Sequence, residues 1–375
     1  MSRIIDADAH FAEPLDLWLQ YIEPQYRGRA YHVVLGKEAG RGQVVVEGKV
    51  SELFPPEWFR DVVPLTMAFG QTERILDPDF TYYDGIPAAY DAGERIKWMD
   101  AEGIDMQFIY PTWGLLWEGD IEDPELAAAH CRAYNTWLWE TCSPYINRFV
   151  PIAHISLRDV DSAVEELRRV AKLGMKGVFI GSRPHQGRSF GHPVYDPFWT
   201  ELQELDLPVG IHIVVFKDYM GSDWYRDGAT SEVMYFSYMS RMDTRLAFNS
   251  LLYDGVLERF PQLKVVLVES QSGWLVEWLD GIDHRYQYLG RLSGMKRTAN
   301  EYFQRQVWVS VDPEERTLAA TTEILGADKF FWGSDIPHAE GYTHPVEEAK
   351  KHLGSLSESA QRKILADNVA KLYGL

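Results

Sequence analysis

Along most of this chain, short runs of apolar residues alternate with stretches in which apolar and charged residues share a helical period. Runs rich in Val, Ile and Phe at 3–10, 106–111, 148–155, 175–181, 208–216, 264–269, 307–311 and 330–334 read as strands buried on both faces. Between them, the clearest helical pattern lies at 160–174. There Val160, Ala163, Val164, Leu167, Val170, Ala171 and Leu173 form one stripe, Glu165, Glu166, Arg168 and Arg169 lie opposite, and Gly174 supplies the stop. Segments 196–206, 244–260, 273–288 and 314–325 fill equivalent slots. Eight strands, nearly all separated by helices, predict parallel βα units that close into a (β/α)8 TIM barrel. The competing fold, an open doubly wound sheet, would want a glycine-rich phosphate turn after its first strand, and none follows residue 10.

The whole chain, 1–375, reads as a single barrel domain with one long departure from the pattern. Residues 11–93 are too many for a single βα connection. They include a glycine-rich stretch at 36–48 that suits a hairpin, and a proline-rich one at 54–64. This insertion is expected to cover the barrel mouth or to make an oligomer contact. A second unpatterned segment, 217–241, is rich in Met, Tyr and Ser and reads as a lid or an interface.

Composition narrows the partners. The 46% hydrophobic fraction suffices for a large core. A net charge of −19 argues against a nucleic-acid or anionic-membrane partner. A small-molecule substrate remains, because a local cationic group can oppose the global sign. Cys131 and Cys142 are eleven residues apart in a helical segment, about 16 Å along the axis, too far for a disulfide. With no signal-peptide pattern and no apolar run of membrane-spanning length, the expectation is a cytoplasmic protein.

Candidate chemistry gathers at strand ends. Asp8 and His10 stand two apart at the end of the first run, so both face one side of it. Buried together there, they would be costly neighbours unless paired or bound to a cation. His212 lies within Pro-Val-Gly-Ile-His-Ile-Val-Val-Phe, Glu269 closes Lys-Val-Val-Leu-Val-Glu, and Asp335 closes Phe-Phe-Trp-Gly-Ser-Asp, with His338 three residues on. Taken singly, each has a structural reading: a carboxylate holding a His tautomer, a core histidine with its bonds satisfied, an acid capping the next helix. Together, the first, fifth, sixth and eighth strands deliver them to one rim, where barrels place their active sites.

These residues resemble the amidohydrolase superfamily, in the branch that includes aminocarboxymuconate-semialdehyde and resorcylate decarboxylases. The likeness runs over essentially the whole chain. It is carried by Ile5-Asp6-Ala7-Asp8-Ala9-His10 with Glu13-Pro14 and Leu17-Trp18, by His212, by Arg259-Phe260-Pro261-Gln262-Leu263-Lys264 leading to Glu269, and by Trp332-Gly333-Ser334-Asp335-Ile336-Pro337-His338. The resemblance implies a divalent ion held by Asp8, His10, His212 and Asp335. The chain departs from the branch twice: Asp8 stands where many decarboxylases have a first His, and Glu269 where they have a catalytic one.

Asp8, Glu269 and Asp335 together carry −3 against the +2 of one ion, so one ion or two are both open. The mixed oxygen and imidazole set suits Zn, Mn or Fe. His284 and His338 are further ligand candidates, each also readable as a residue facing the substrate or supporting a ligand. Asp335, Glu269 and His338 are the candidate catalytic groups, with Arg183, His185 and Trp113 as candidate substrate contacts. Arg183 suits a carboxylate. The expected activity is hydrolysis or decarboxylation of a small carboxylate- or amide-bearing molecule. The alternatives are a dinuclear Fe or Mn hydroxylase that activates O2, and a non-catalytic barrel subunit of a hetero-oligomer. A homo-oligomer is the expected assembly.

Overall fold

The structure is a computed structural model that describes residues 3–36, 42–53, 66–74, 77, 79–214, 240–312 and 314–375. Its barrel strands are β1 (Ile5–Phe11), β5 (Met106–Pro111), β6 (Phe149–His154), β7 (Gly177–Gly181), β8 (Val209–His212), β9 (Val265–Leu267), β10 (Val307–Val311) and β11 (Phe330–Trp332). They pair in parallel in the order β1-β5-β6-β7-β8-β9-β10-β11. Helices lie between successive strands, and the architecture is the (β/α)8 barrel.

The seam between the last strand and the first closes just beyond β11. The Asp335 amide donates to the Asp8 carbonyl at 2.9 Å, and the His10 amide donates to the Ile336 carbonyl at 2.7 Å. Fully buried Asp6 adds side-chain links. It accepts from the Ser334 amide at 2.9 Å, the Ser334 hydroxyl at 2.6 Å and the Gln107 amide group at 2.7 Å. Gly333 permits the approach, since a Cβ there would lie 2.3 Å from the Asp8 Cβ.

The barrel interior is packed rather than open. Ile5, Phe108, Ile152, Phe179, Val266 and Phe331 form a cluster into which the C-terminal helix Asn368–Tyr373 inserts Val369, Leu372 and Tyr373. Tyr373 meets Phe108 edge to face at 4.6 Å between centroids, which plugs the N-terminal end of the barrel. Neither this helix nor Pro345–Leu353 was foreseen from the sequence. Chemistry is thereby confined to the opposite rim.

The helix Val160–Leu173 forms as its pattern predicts. Asp159 caps the first turn by accepting from the Ser162 amide, and Gly174 ends it at φ 101°. The segment expected as one helix at 244–260 is instead two, Ser240–Tyr253 and Val256–Arg259. Gly255 breaks it at φ 73°, where a Cβ would lie 2.7 Å from the Gly294 carbonyl oxygen.

Within residues 11–93, β2 (His32–Leu35), β3 (Gly42–Val46) and β4 (Lys49–Val50) form an antiparallel sheet, as the hairpin reading expected. Glu47 and Gly48, both at positive φ, make its two-residue turn. The proline-rich stretch at 54–64 and nearly all of 217–241 lie outside the described residues. No helix among the described residues is long and apolar enough to cross a membrane.

Candidate active site

Asp8 and His10 come to the site from β1, next to a bulge that falls between Asp6 and Ala9. Asp6 turns to the seam, whereas Asp8 and His10 face His212 at the end of β8. His10 Nδ1 lies 2.7 Å from the Pro111 carbonyl, and His212 Nδ1 lies 2.8 Å from that of Ile213. A carbonyl can only accept, so each Nδ1 carries the proton. With a cation bound, each ring would be neutral and turn its Nε2 lone pair inward, the usual arrangement for a ligating imidazole.

Those inward atoms converge. His10 Nε2 lies 3.5 Å from Asp8 Oδ1 and 3.3 Å from Asp335 Oδ1. His212 Nε2 lies 3.9 Å from Asp8 Oδ1 and 3.7 Å from Glu269 Oε2. Asp8 Oδ1, His10 Nε2 and His212 Nε2 are buried without a hydrogen-bond partner. Buried polar atoms are rarely left so. Asp8, His10 and His212 bring one carboxylate oxygen and two imidazole nitrogens within 4.8 Å of one another, donors that suit a divalent cation, and Asp335 Oδ1 joins them through His10.

Beside them, Asp335 carries His338, whose Nδ1 is 2.7 Å from Asp335 Oδ1 and whose ring lies 4.2 Å from that of His10. Ligand atoms of Asp8, His10 and His212 lie within 4.8 Å of one another, as do those of His10, Asp335 and His338, and those of Glu269, Asp335 and Glu340. Glu269 and Asp335 sit at φ 51° and 56°, a backbone conformation that costs energy for a non-glycine residue and collects at functional sites. Ser310 joins two of the acids: it accepts from the Glu269 amide at 2.8 Å and donates to Asp8 Oδ2 at 3.4 Å.

Electrostatics follow from this crowding. Burial opposes the charged form of His10, but the carboxylates of Asp335 and Asp8 outweigh it and raise its pKa to about 10 in the metal-free chain. Burial lowers His212 to about 4. Burial would also raise Asp335, yet His338 and His10 hold it below the ordinary carboxylate range. Glu269 is pushed well above that range by burial and then by its acidic neighbours Asp335 and Glu340.

The remaining residues singled out in the sequence fall in other places. His284 is exposed on the helix Leu275–Leu289 and lies outside these groups. Ile282 faces the core, and a residue two positions on points about 200° away from it. Arg183 pairs with Asp243 at 3.0 Å. His185 lies 3.7 Å from fully buried Glu118, in a second polar group with Arg158 and His154, whose Nε2 is 2.6 Å from Glu118. Trp113 is buried against Tyr82 of the insertion. Glu340, Ser310, Thr112 and Glu118 were not foreseen. Glu340, two residues past His338, was the one that closeness to a strand end could have flagged.

The chain is 27% identical over 296 residues to the gamma-resorcylate decarboxylase of Rhizobium sp. (strain MTP-10005), covering 75% of this chain and 86% of that one. It is 26% identical over 296 residues to the 2-amino-3-carboxymuconate-6-semialdehyde decarboxylase of Dictyostelium discoideum, covering 76% and 77%. An amidohydrolase from Mycobacterium avium subsp. paratuberculosis K-10 superposes with a TM-score of 0.85 at 26% identity, over 100% and 99% of the two chains. The dihydroxybenzoic acid decarboxylase of Polaromonas sp. JS666, solved with bound manganese and the inhibitor 2-nitroresorcinol, shares the fold at a TM-score of 0.68 and 19% identity, over 100% and 98%. The model of the amidohydrolase family matches residues 5–375, and with β1, β8 and β11 meeting at one cluster of acids and imidazoles, the chain belongs to that family.

Proposed function

We propose that this chain is a divalent-metal-dependent lyase that decarboxylates a small carboxylic acid, with hydrolysis of a small amide as the competing reaction. The observation that carries the reading is the convergence of Asp8 Oδ1, His10 Nε2 and His212 Nε2, buried and unpartnered, with Asp335 Oδ1 3.3 Å from His10 Nε2. These four atoms would hold the ion. The decarboxylase relatives, and the manganese in the Polaromonas enzyme, support both the reaction class and Mn as the first metal to try. The O2-activating and non-catalytic readings draw no support from these relatives.

A bound divalent ion supplies Lewis acidity, polarising a carboxylate or carbonyl oxygen placed on it. The chain's own groups do the rest. His10 and His212 are fixed in tautomer and aim by backbone carbonyls. A carbon that loses CO2 must gain a proton in its place, and the proton between His338 Nδ1 and Asp335 Oδ1 is in position to be moved. Glu269 is the second acid–base candidate or a further ligand.

A second ion is favoured by one observation, the Glu269, Asp335 and Glu340 group, whose ligand atoms also lie within 4.8 Å of one another. Two ions per chain in elemental analysis would select it, and one would reject it. Residues 11–93 are read as a cover over the mouth. Phe69 packs against Gly341, where a Cβ would lie 2.3 Å from its ring, so the insertion touches the segment following β11.

The test is to load the chain with Mn2+ and measure CO2 release from a panel of hydroxylated benzoates that includes 2,6-dihydroxybenzoate and 5-carboxyvanillate. Metal-dependent CO2 release is expected. No CO2 release from any member, with metal-dependent cleavage of small carboxylate-bearing amides assayed alongside, would replace decarboxylation with hydrolysis.

A further inference from the structure

We propose that Glu13 is a positioning residue for His10 and His338, a proposal that rests on the ion-site reading of Asp8, His10, His212 and Asp335. Glu13 lies three residues past His10 and is fully buried. A buried carboxylate is costly unless its charge is met. Burial raises the Glu13 pKa to about 7, and backbone amides oppose that by meeting part of the charge. Thr112 N lies 3.1 Å from Oε2, Trp113 N lies 2.8 Å from Oε2, and Gly114 N lies 3.0 Å from Oε1. Three successive N–H groups aimed at one anion form a nest, and the carboxylate pins the turn after β5 to the chain leaving β1.

Two atoms at the start of that turn reach the candidate ligands. The Pro111 carbonyl accepts from His10 Nδ1 at 2.7 Å, which leaves Nε2 as the lone-pair nitrogen. Thr112 Oγ1 lies 3.3 Å from His338 Nε2. Gly114 is required by the same packing. A Cβ there would lie 2.5 Å from the Pro111 Cβ and 3.2 Å from Glu13 Oε1. On the other side, Arg95 donates to the His10 carbonyl at 2.7 Å, and Tyr82 of the insertion donates to the Glu13 carbonyl. His10 is therefore gripped through both its backbone and its ring, and Glu13 secures the ring's partner.

Glutamine at position 13 keeps one acceptor oxygen and turns an NH2 group toward N–H donors, so the turn loosens while the side-chain volume is nearly unchanged. The experiment is a Mn2+ titration by calorimetry of chelator-stripped wild type and Glu13→Gln, with folding checked by circular dichroism and urea midpoint. A turn stabiliser alone would lower the midpoint and leave Mn2+ affinity untouched. Positioning predicts Mn2+ binding weakened about 10- to 100-fold in folded protein, the usual cost of losing a ligand's support.

If Glu13→Gln does not fold, Gly114→Ala crowds the same turn against Pro111 and the Glu13 carboxylate and is expected to give the same loss. Wild-type affinity in a folded Glu13→Gln or Gly114→Ala chain overturns the role of Glu13 and leaves the ion site standing. A wild-type chain that takes up no Mn2+ overturns both.

Discussion

Asp6 is the place where the barrel's closure can be tested by number. Its carboxylate accepts from the Ser334 amide, the Ser334 hydroxyl and the Gln107 amide group, all buried, across the seam between first and last strands. Asp6→Ala leaves those donors without an acceptor. A buried unsatisfied donor costs roughly 1–3 kcal/mol, so the three together predict a loss of about 3–9 kcal/mol. Asp6→Asn keeps an oxygen for the Ser334 amide. Its NH2 faces the Gln107 donor, so about one bond is lost.

The pH dependence has a definite sign. Burial raises the Asp6 pKa from 3.8 to about 6, against the lowering effect of its hydrogen bonds. The folded chain therefore holds this proton more tightly than the unfolded chain. The contribution is most favourable below pH 3.8 and is lost as pH rises to about 6, by roughly 3 kcal/mol at 1.36 kcal/mol per unit. Asp6→Asn should abolish that fall. Urea midpoints at pH 4.5 and 7 for wild type and both variants capture about 2 kcal/mol of it, with other carboxylates common to all three. A loss below about 1 kcal/mol for Asp6→Ala, or a wild-type pH slope retained in Asp6→Asn, would refute the reasoning.

Other outcomes follow from the same geometry. Asp335→Asn should lower turnover at least about 100-fold while the chain stays folded, as loss of an acid–base group does; near-wild-type rates in a metal-replete assay would remove Asp335 from the chemistry. Mn2+ at a hundred times its Kd should stabilise the stripped chain by about 2.7 kcal/mol, visible as a raised denaturation midpoint that excess chelator reverses. His284→Ala should change stability by less than about 0.5 kcal/mol and leave Mn2+ stoichiometry unaltered, since this side chain lies in solvent; a lost ion would return it to the site.

The strands were legible because a parallel barrel buries both faces and leaves nearly unbroken apolar runs. The reading of 106–111 and 307–311 matches β5 and β10 residue for residue. The reading 3–10 began two residues early and stopped one short of Phe11, and the others overran their strands by two or three described residues, because the sequence pattern does not mark where ladder bonding begins and ends; the end of 208–216 falls outside the described residues. The break at Gly255 was hidden because an apolar pattern continues across it. The C-terminal plug was hidden because its apolar residues have no partner within their own segment.

At the site, Asp8, His10, His212, Asp335 and His338 could be found from their places at strand ends. Ser310 matters only through contacts made to Glu269 and Asp8 on other strands, and nothing local marks it. Glu13 stood in the recognised motif, yet its partners begin 99 residues away, and they are backbone amides that no side-chain pattern records.

The most direct test of the whole account is divalent-metal content in chain purified without chelator, measured beside the Asp8→Ala, His10→Ala and His212→Ala variants. An ion held by these side chains requires at least one ion per wild-type chain and its loss from each folded variant. A wild-type chain free of metal, or variants that retain the full complement, would contradict it.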